Sequence, residues 1–145
     1  MSNESYGVSI INGIDAISRT GLSFDSVAAN SLTARMPLAG NSNHTGIMYA
    51  GSLFALAECA AGVLFMNRYD ANVIAPICAS VNIRFRRPAG SDITLTMNIS
   101  DEQFEQLQND VLANGKAAVE FEEKLQDSNG EVVAIADVKY VLLKV

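Results

Sequence analysis

One carboxylate stands alone in the most apolar stretch of this 145-residue sequence. Between Thr45 and Asn67 almost every residue is apolar or small, and Glu58 is the single charged residue. A helix that is hydrophobic all round is buried on all sides, and a carboxylate inside it is costly unless it is paired, neutral or used in chemistry. Burial raises the pKa of a carboxyl group, which suits a general base. Glu58 is therefore our first candidate catalytic residue, and the competing interpretation is a structural ion pair with an arginine such as Arg84.

The start of the same predicted helix offers a second chemical feature. The first amides of a helix have no intrahelical acceptor and lie at its electropositive end, where they can hold an oxyanion. Asn43 or Thr45 is the predicted N-cap, because both side chains can accept from free amides. Gly51 and Gly62 each cost roughly 1 kcal/mol inside a helix, so we expect a close approach of other atoms at both positions.

The other ionisable side chains near this helix each have two interpretations. His44, the only histidine, either transfers protons or is a solvated loop residue. Three arginines, at positions 84, 86 and 87, either hold phosphate groups or form an ordinary solvated strand face. The sequence has no cluster with metal-ligand spacing and no phosphate-binding glycine loop.

The composition excludes several classes of protein. A net charge of −6 argues against nucleic acid as the main partner, because phosphate binding needs a concentrated basic surface. Cys59 and Cys78 lie in apolar runs, which indicates buried thiols in a reducing compartment. The N-terminus has no signal-peptide pattern, so we expect a cytoplasmic protein. Glu58 and the many small residues argue against a membrane span in the central stretch.

The remaining sequence predicts a run of strands around the central helix, since apolar residues recur at helical spacing in some segments and alternate in others. The predicted helices are residues 5–19, 45–67 and 101–113, and the predicted strands are 22–37, 73–87, 93–99, 116–126 and 131–145. We expect a bulge or turn near Asn30, an N-cap at Asp101 and a hairpin turn over residues 127–130. An antiparallel sheet curled around one helix would bury it, and a second subunit would protect the sheet edges.

Three motifs carry a family resemblance: NHTG at 43–46, YAGSLFALAE at 49–58 and NIRFRRPAG at 82–90. Together they resemble hotdog-fold thioesterases, in particular thioesterase-like domains similar to the phenylacetate-pathway type. The resemblance covers residues 22–145 and implies one α+β hotdog domain over residues 1–145, with an antiparallel sheet wrapped around one long central helix. It further implies a homodimer or a dimer of dimers that hydrolyses acyl thioesters, of coenzyme A or of a carrier protein.

The resemblance also implies roles for individual residues. Glu58 would be the base or nucleophile, Asn43 would orient water or the substrate carbonyl, and the amides of Ala50 and Gly51 would bind the oxyanion. Many family members have His-Gly where this chain has Tyr49-Ala50, so a side-chain donor there would be the Tyr49 hydroxyl.

Other substrate contacts would come from the strand after the central helix and from the loop before it. A water-positioning hydroxyl that some family members carry would fall near Cys78, with Ser80 as a substitute. The expected contacts are His44, Ser80, Arg84, Arg86 and Arg87, with Ser80 or Arg86 supplied by the partner subunit. No metal or redox cofactor is implied, and coenzyme A would be part of the substrate.

Two other functions fit the same fold. One is an acyl-thioester binding module without catalysis. The other is an enoyl-thioester hydratase or dehydratase, which would pair His44 with Glu58. A purely structural interaction domain is a further class, and it predicts that Glu58 is held in an ion pair with no cavity beside it.

Overall fold

The computed structural model describes residues 5–145. Within them, six antiparallel strands form one sheet in the order β1-β2-β4-β5-β6-β3. The helices are α1 (Tyr6–Asn12), α2 (Asp15–Ser18), α3 (Ala50–Arg68) and α4 (Asp101–Asn114), and the strands are β1 (Ser23–Val27), β2 (Ser31–Met36), β3 (Ile74–Phe85), β4 (Ile93–Asn98), β5 (Lys116–Gln126) and β6 (Val132–Lys144). The predicted α+β architecture, an antiparallel sheet with one long central helix, is confirmed.

Helix α3 packs against the sheet and forms the centre of the core. Its length and composition would allow it to cross a membrane, but 61% of its most apolar window is buried inside the protein. Its buried residues include Leu56, Ala60 and Phe65, which are fully enclosed. The side of α3 that stays open to solvent carries Ala50, Gly51 and Phe54, and on this side the sheet does not cover the helix.

Strand β3 is one edge of the sheet, and its two faces differ in chemistry. It has 12 residues and, among the residues described, pairs only with β6. Cys78, Val81 and Ile83 lie towards α3 and are partly buried, whereas Ser80 and Arg84 lie on the outer face. A register shift between Cys78 and Ser80 marks a bulge that starts this alternation anew.

The structure divides two of the predicted elements and moves two predicted caps. Residues 22–37 form the hairpin β1–β2, and the turn between them falls at the predicted position. The N-terminal helical segment breaks into α1 and α2 at Gly13. Helix α4 is capped by Ser100, not Asp101, because Ser100 and Gln103 form a reciprocal capping box.

The N-cap prediction for the central helix is wrong. Helix α3 begins at Ala50, and its N-cap is Tyr49, which makes no side-chain capping bond. Asn43 and Thr45 precede that point and lie in a loop. Hydrogen bonds hold this loop from the Met48 amide to the Ala89 carbonyl (2.8 Å) and from the Tyr49 amide to the Asn41 carbonyl (2.8 Å). Long-range loop contacts therefore decide where the helix starts.

Candidate active site

Glu58 lies on the partly open side of α3 and is half-buried. No hydrogen bond or ion pair within residues 5–145 holds its carboxylate. Burial raises the pKa of this carboxyl group above its ordinary value. Arg84, the arginine named as an example of a structural partner, instead forms an ion pair with Asp137 at 3.0 Å on the outer face of the sheet. Glu58 is thus an uncompensated carboxylate that remains open to reaction.

The turn of α3 that carries Glu58 is anchored to the sheet by Tyr140. The Tyr140 hydroxyl donates to the carbonyl of Glu58 and accepts from the amide of Gly62 at 3.2 Å. These two backbone groups are one helical turn apart, so one side chain from β6 fixes the backbone of Glu58. A Cβ at Gly62 would lie 3.3 Å from that hydroxyl, which explains why this position has a glycine.

The N-terminus of α3 presents free amide donors. Ala50 and Gly51 are exposed, and no described group accepts from their amides. The ring of Tyr49, which is 59% exposed, lies where a Cβ of residue 51 would be. The glycine at position 51 therefore lets an aromatic ring cover the side of the helix start while its amides stay accessible.

A cavity of about 150 Å³ opens beside these amides. The residues that line it come from the loop before α3, from the first turn of α3 and from the end of β3: Asn43, Ile47, Met48, Ala50, Leu53, Phe85, Arg87 and Ala89. Glu58 is not among these lining residues. Glu58 follows Ala50 by eight positions, roughly 12 Å along the helix axis, and helical side chains lean towards the N-terminus.

The loop residues that the sequence singled out have different environments. The Asn43 side-chain oxygen accepts from the Thr45 amide (2.9 Å) and the Thr45 hydroxyl (2.8 Å), and Asn43 lines the cavity beside the helix start. His44 is exposed, and none of the described contacts connects it to Glu58. The pairing that a hydratase would need is therefore not formed within one chain.

Asn41 is a site residue that sequence reasoning missed. It is 6% exposed, and its Nδ2 donates to the carbonyls of Thr20 (2.7 Å) and Pro37 (2.8 Å). Its Oδ1 accepts from the Ser52 hydroxyl at 2.9 Å, in the first turn of α3. Asn41 therefore fixes the loop against the helix start. The only sequence signal was its place in a polar loop, which Asn43 shares.

The structure places the predicted strand residues on the outer face of the sheet. Ser80 lines a depression with Asn82, Glu120 and Lys139, so it does not approach Glu58 of its own chain. Cys78 takes the place that faces α3, because the bulge precedes Ser80. Because the sequence analysis expects Ser80 or Arg86 from the partner subunit, the contact of Ser80 with substrate stays a prediction.

The three arginines separate into two groups. Arg84 is paired with Asp137 on the outer face of the sheet, and its contact with substrate phosphates stays a prediction. Arg86 and Arg87 line an open groove of about 600 Å³ together with Lys124. Arg87 also lines the cavity beside the helix start, and it lies 3.7 Å from Glu131. A basic groove therefore adjoins the cavity at Arg87.

A second carboxyl group lies under α3, and sequence reasoning missed it too. Glu123 on β5 is 2% exposed, and neither of its oxygens has a hydrogen-bond partner among the described residues. Burial, together with the negative charge of Glu58, raises the pKa of Glu123 to about 8. The signal was present in the sequence, because position 123 continues the alternation of Val119 and Phe121, which face the core.

The fold and this site define the class of protein. A long apolar helix wrapped by an antiparallel sheet is the hotdog fold, and structures with this fold include thioesterases. The chain belongs to the family described as Domain of unknown function (DUF4442), whose model matches residues 17–142. None of the curated proteins compared with this sequence matches it.

Three solved structures show the likeness. A Pseudomonas aeruginosa protein of unknown function, PA5026, described as a probable thioesterase, is 37% identical over 96% of this chain and 94% of its own, with a TM-score of 0.90. A candidate thioesterase from Shewanella oneidensis is 24% identical over 94% of both chains, with a TM-score of 0.75. Thioesterase HI1161 from Haemophilus influenzae is 13% identical over 93% of this chain and 87% of its own, with a TM-score of 0.70. The last two matches show the fold alone.

Proposed function

We propose that this protein hydrolyses acyl thioesters. One observation carries the proposal: within residues 5–145 no cation pairs with Glu58 on its apolar helix, about two turns after the acceptor-free amides of Ala50 and Gly51, and Ala50 lines a cavity. Buried acids without a partner are rare in structural roles and common at sites of chemistry. The 37% identical relative described as a probable thioesterase supports the same reaction.

The proposed chemistry needs only water as co-reactant. The thioester carbonyl accepts hydrogen bonds from the amides of Ala50 and Gly51, and Asn43 orients the carbonyl or the water. Glu58 takes a proton from the water as its oxygen bonds to the carbonyl carbon, and the amides stabilise the oxyanion that forms. Collapse breaks the carbon–sulfur bond, and the thiolate takes the proton from Glu58. Direct attack by Glu58 is the other route to the same products.

The basic groove suggests which end of the substrate lies where. Arg86, Arg87 and Lys124 would contact the phosphates of coenzyme A or of a carrier arm, and the acyl group would lie near Phe85. The ring and hydroxyl of Tyr49 would cover the thioester. His44 lies on the exposed loop and would contact only the outer part of the substrate.

We also propose that the active protein is a homodimer joined along β3. This edge strand has 12 residues and exposes Ile77 (48%) and Phe85 (51%), and such an edge invites pairing with another strand. The open side of α3, with Phe54 42% exposed, would be covered at the same time. The partner would then close the side of the site that one chain leaves open, and a pair of dimers is the larger assembly that this surface allows.

The direct test is thioester hydrolysis by the wild-type protein and by Glu58→Gln. Thiol release from a panel of aliphatic and aromatic acyl-coenzyme A substrates is followed, with a variant of the exposed Glu105→Gln on α4 as the control. We expect Glu58→Gln to lose at least about 100-fold in kcat, the usual effect of a missing general base, and the control to match wild type.

Two outcomes would favour the other functions. A wild-type protein that binds acyl thioesters but releases no thiol from any of them is a binding module. Hydration of an enoyl thioester that His44→Ala abolishes would indicate a hydratase. Equal hydrolysis by wild type and Glu58→Gln would remove Glu58 from the mechanism.

A further inference from the structure

Helix α3 starts without the kind of side-chain cap that begins α1 and α4. In α1 the Ser5 hydroxyl accepts from the Val8 amide at 3.3 Å. In α4 the Ser100 hydroxyl accepts from the Gln103 amide at 3.1 Å. Tyr49 has a similar extended backbone at the start of α3 (φ −61°, ψ 137°), but its side chain makes no capping bond. The position for an ordinary cap is therefore present in α3 and is not used.

The start of α3 is held instead by Asn41, which lies outside the helix. The Asn41 carbonyl accepts from the Tyr49 amide at 2.8 Å, and Asn41 Oδ1 accepts from the Ser52 hydroxyl at 2.9 Å. Ala50 and Gly51 lie between these two hydrogen bonds. One residue therefore holds both ends of the segment that carries the acceptor-free amides.

Asn41 can hold this segment in place because its own side chain is fixed. It is 6% exposed, and its Nδ2 donates to the Thr20 carbonyl at 2.7 Å and to the Pro37 carbonyl at 2.8 Å. Its backbone amide donates to the Leu38 carbonyl at 3.0 Å. Thr20 follows α2 and Pro37 follows β2, so these contacts tie the start of α3 to two other elements of the fold.

An ordinary cap would compete with the proposed reaction. A capping oxygen accepts from the amide of the second or third helical residue, which in α3 is Gly51 or Ser52. Its lone pairs would lie at the helix start, where the free amides are to stabilise an oxyanion. The hydrogen bond from the Ser52 hydroxyl to Asn41 uses no backbone amide of α3, so it supports the helix start without occupying these donors.

We infer that Asn41 and Ser52 form a substitute cap, which holds the start of α3 and leaves the amides of Ala50 and Gly51 free for the substrate carbonyl. Both are positioning residues, because neither lines the cavity and both act through the two amides. Tyr49 is part of the same arrangement, since it has no oxygen on Cβ or Cγ that could cap the helix. The kinetic role rests on the proposed hydrolysis, whereas the ordering of the helix start does not.

The first test compares two replacements of Tyr49 that differ by one oxygen atom. Tyr49→Ala and Tyr49→Ser both remove the ring, but only serine can cap α3. We expect Tyr49→Ser to unfold at higher urea concentration than Tyr49→Ala, because a serine cap stabilises a helix. We also expect its kcat on one thioester to be about tenfold lower, a smaller effect than the loss of a whole oxyanion donor. Equal kcat in the two variants would overturn the competition between an ordinary cap and the oxyanion.

The second test removes the substitute cap itself. Ser52→Ala loses the hydrogen bond to Asn41, and the control Ser100→Ala loses the ordinary cap of α4. Both variants therefore lose a hydroxyl group at a helix start. At a temperature at which circular dichroism shows every protein folded, Ser52→Ala should lower kcat and kcat/KM equally, by about tenfold or more, as misplaced donors do. Ser100→Ala should match wild type.

The ordering of the helix start is tested without activity by NMR relaxation of backbone amide nitrogens. In wild type and Ser100→Ala, the amides of Ala50 and Gly51 should have the order parameters of rigid backbone, about 0.85. In Ser52→Ala the same two order parameters should fall towards about 0.6.

The outcomes separate this inference from the proposed function. No thiol release by wild type, with order parameters that fall in Ser52→Ala, would remove the hydrolase and leave the substitute cap. Hydrolysis that depends on Glu58, with unchanged order parameters and kcat in Ser52→Ala, would overturn the substitute cap and leave the hydrolase. A kcat that stays unchanged while the order parameters fall, or that falls equally in Ser100→Ala, would overturn the kinetic role.

Discussion

Replacing Glu123 with glutamine should make the protein more stable relative to wild type as the pH rises. In the folded protein, burial and the charge of Glu58 raise the pKa of Glu123 from 4.5 to about 8. Between those two values the folded state holds a proton that the unfolded chain has lost. The free energy of unfolding of the wild type therefore falls as the pH rises through this interval. Glu123→Gln has no proton to lose, so it lacks this fall.

The interval fixes the size of the effect. The free energy of unfolding falls by about 1.4 kcal/mol for each pH unit across it. From the ordinary value of 4.5, the loss is about 3 kcal/mol at pH 7 and roughly 5 kcal/mol above pH 8. A domain of this size has about 5–15 kcal/mol in total, so the effect is well within reach of measurement. Glutamine also buries two N–H donors without acceptors, which costs roughly 1–3 kcal/mol at every pH.

The pH dependence is therefore the quantity to measure, because the cost of the glutamine amide is constant. Urea unfolding of wild type, Glu123→Gln and the exposed control Glu122→Gln is followed at pH 5, 6, 7 and 8. The protomer concentration is held fixed, since the stability of a dimer depends on it. We expect the difference between Glu123→Gln and wild type to grow by roughly 3 to 4 kcal/mol from pH 5 to pH 8. Parallel pH dependences of Glu123→Gln and wild type would refute the reasoning, because they would mean that Glu123 ionises freely in the folded protein.

Two further variants test the assembly and the anchoring of α3. Phe54→Lys puts a charge on the open side of α3, so this variant should elute as a monomer in size-exclusion chromatography with light scattering. Leu112→Lys changes an equally exposed position on α4 and should stay dimeric. A dimer in both variants would contradict the proposed dimer interface. Tyr140→Phe removes the hydroxyl that joins the carbonyl of Glu58 to the amide of Gly62. We expect the free energy of unfolding in urea to fall by about 1–3 kcal/mol. An unchanged unfolding midpoint would show that these hydrogen bonds add no net stability.

The strands and helices followed from the sequence because their signals are local. Alternation of apolar residues indicated β4 and β5. Gly115 ends α4 in the left-handed conformation (φ 83°), which glycine adopts without strain. Alternation also predicts that Val81, Ile83 and Phe85 share one face of β3. Val81 and Ile83 pack against the core, whereas Phe85, at the end of the strand, is 51% exposed. The spacing of apolar residues and the residue types that favour turns depend only on residues that are close in sequence, so both can be recognised without the structure.

The start of α3 did not follow from the sequence, because distant residues decide it. Asn41 is held by carbonyls of Thr20 and Pro37 and holds Ser52 in turn. These contacts place the first helical residue at Ala50, seven positions after the predicted cap at Asn43. Capping rules describe which residue types favour a helix start, but they do not predict at which residue the contacts of a folded loop allow the helix to begin.

What the sequence by itself determined was an apolar helix with one carboxylate, surrounded by strands of known period. Local periodicity and the cost of a buried charge were enough for that, and together they singled out Glu58. Only the tertiary structure decided that Arg84 pairs with Asp137 on the other face of the sheet, so that no cation within residues 5–145 pairs with Glu58. It also decided that Glu123 lies under the same helix, because burial and charge coupling depend on which strands lie beside α3. The order of residues determines the spacing of apolar and charged side chains, whereas the packing of helices and strands determines which charged side chains lie near one another.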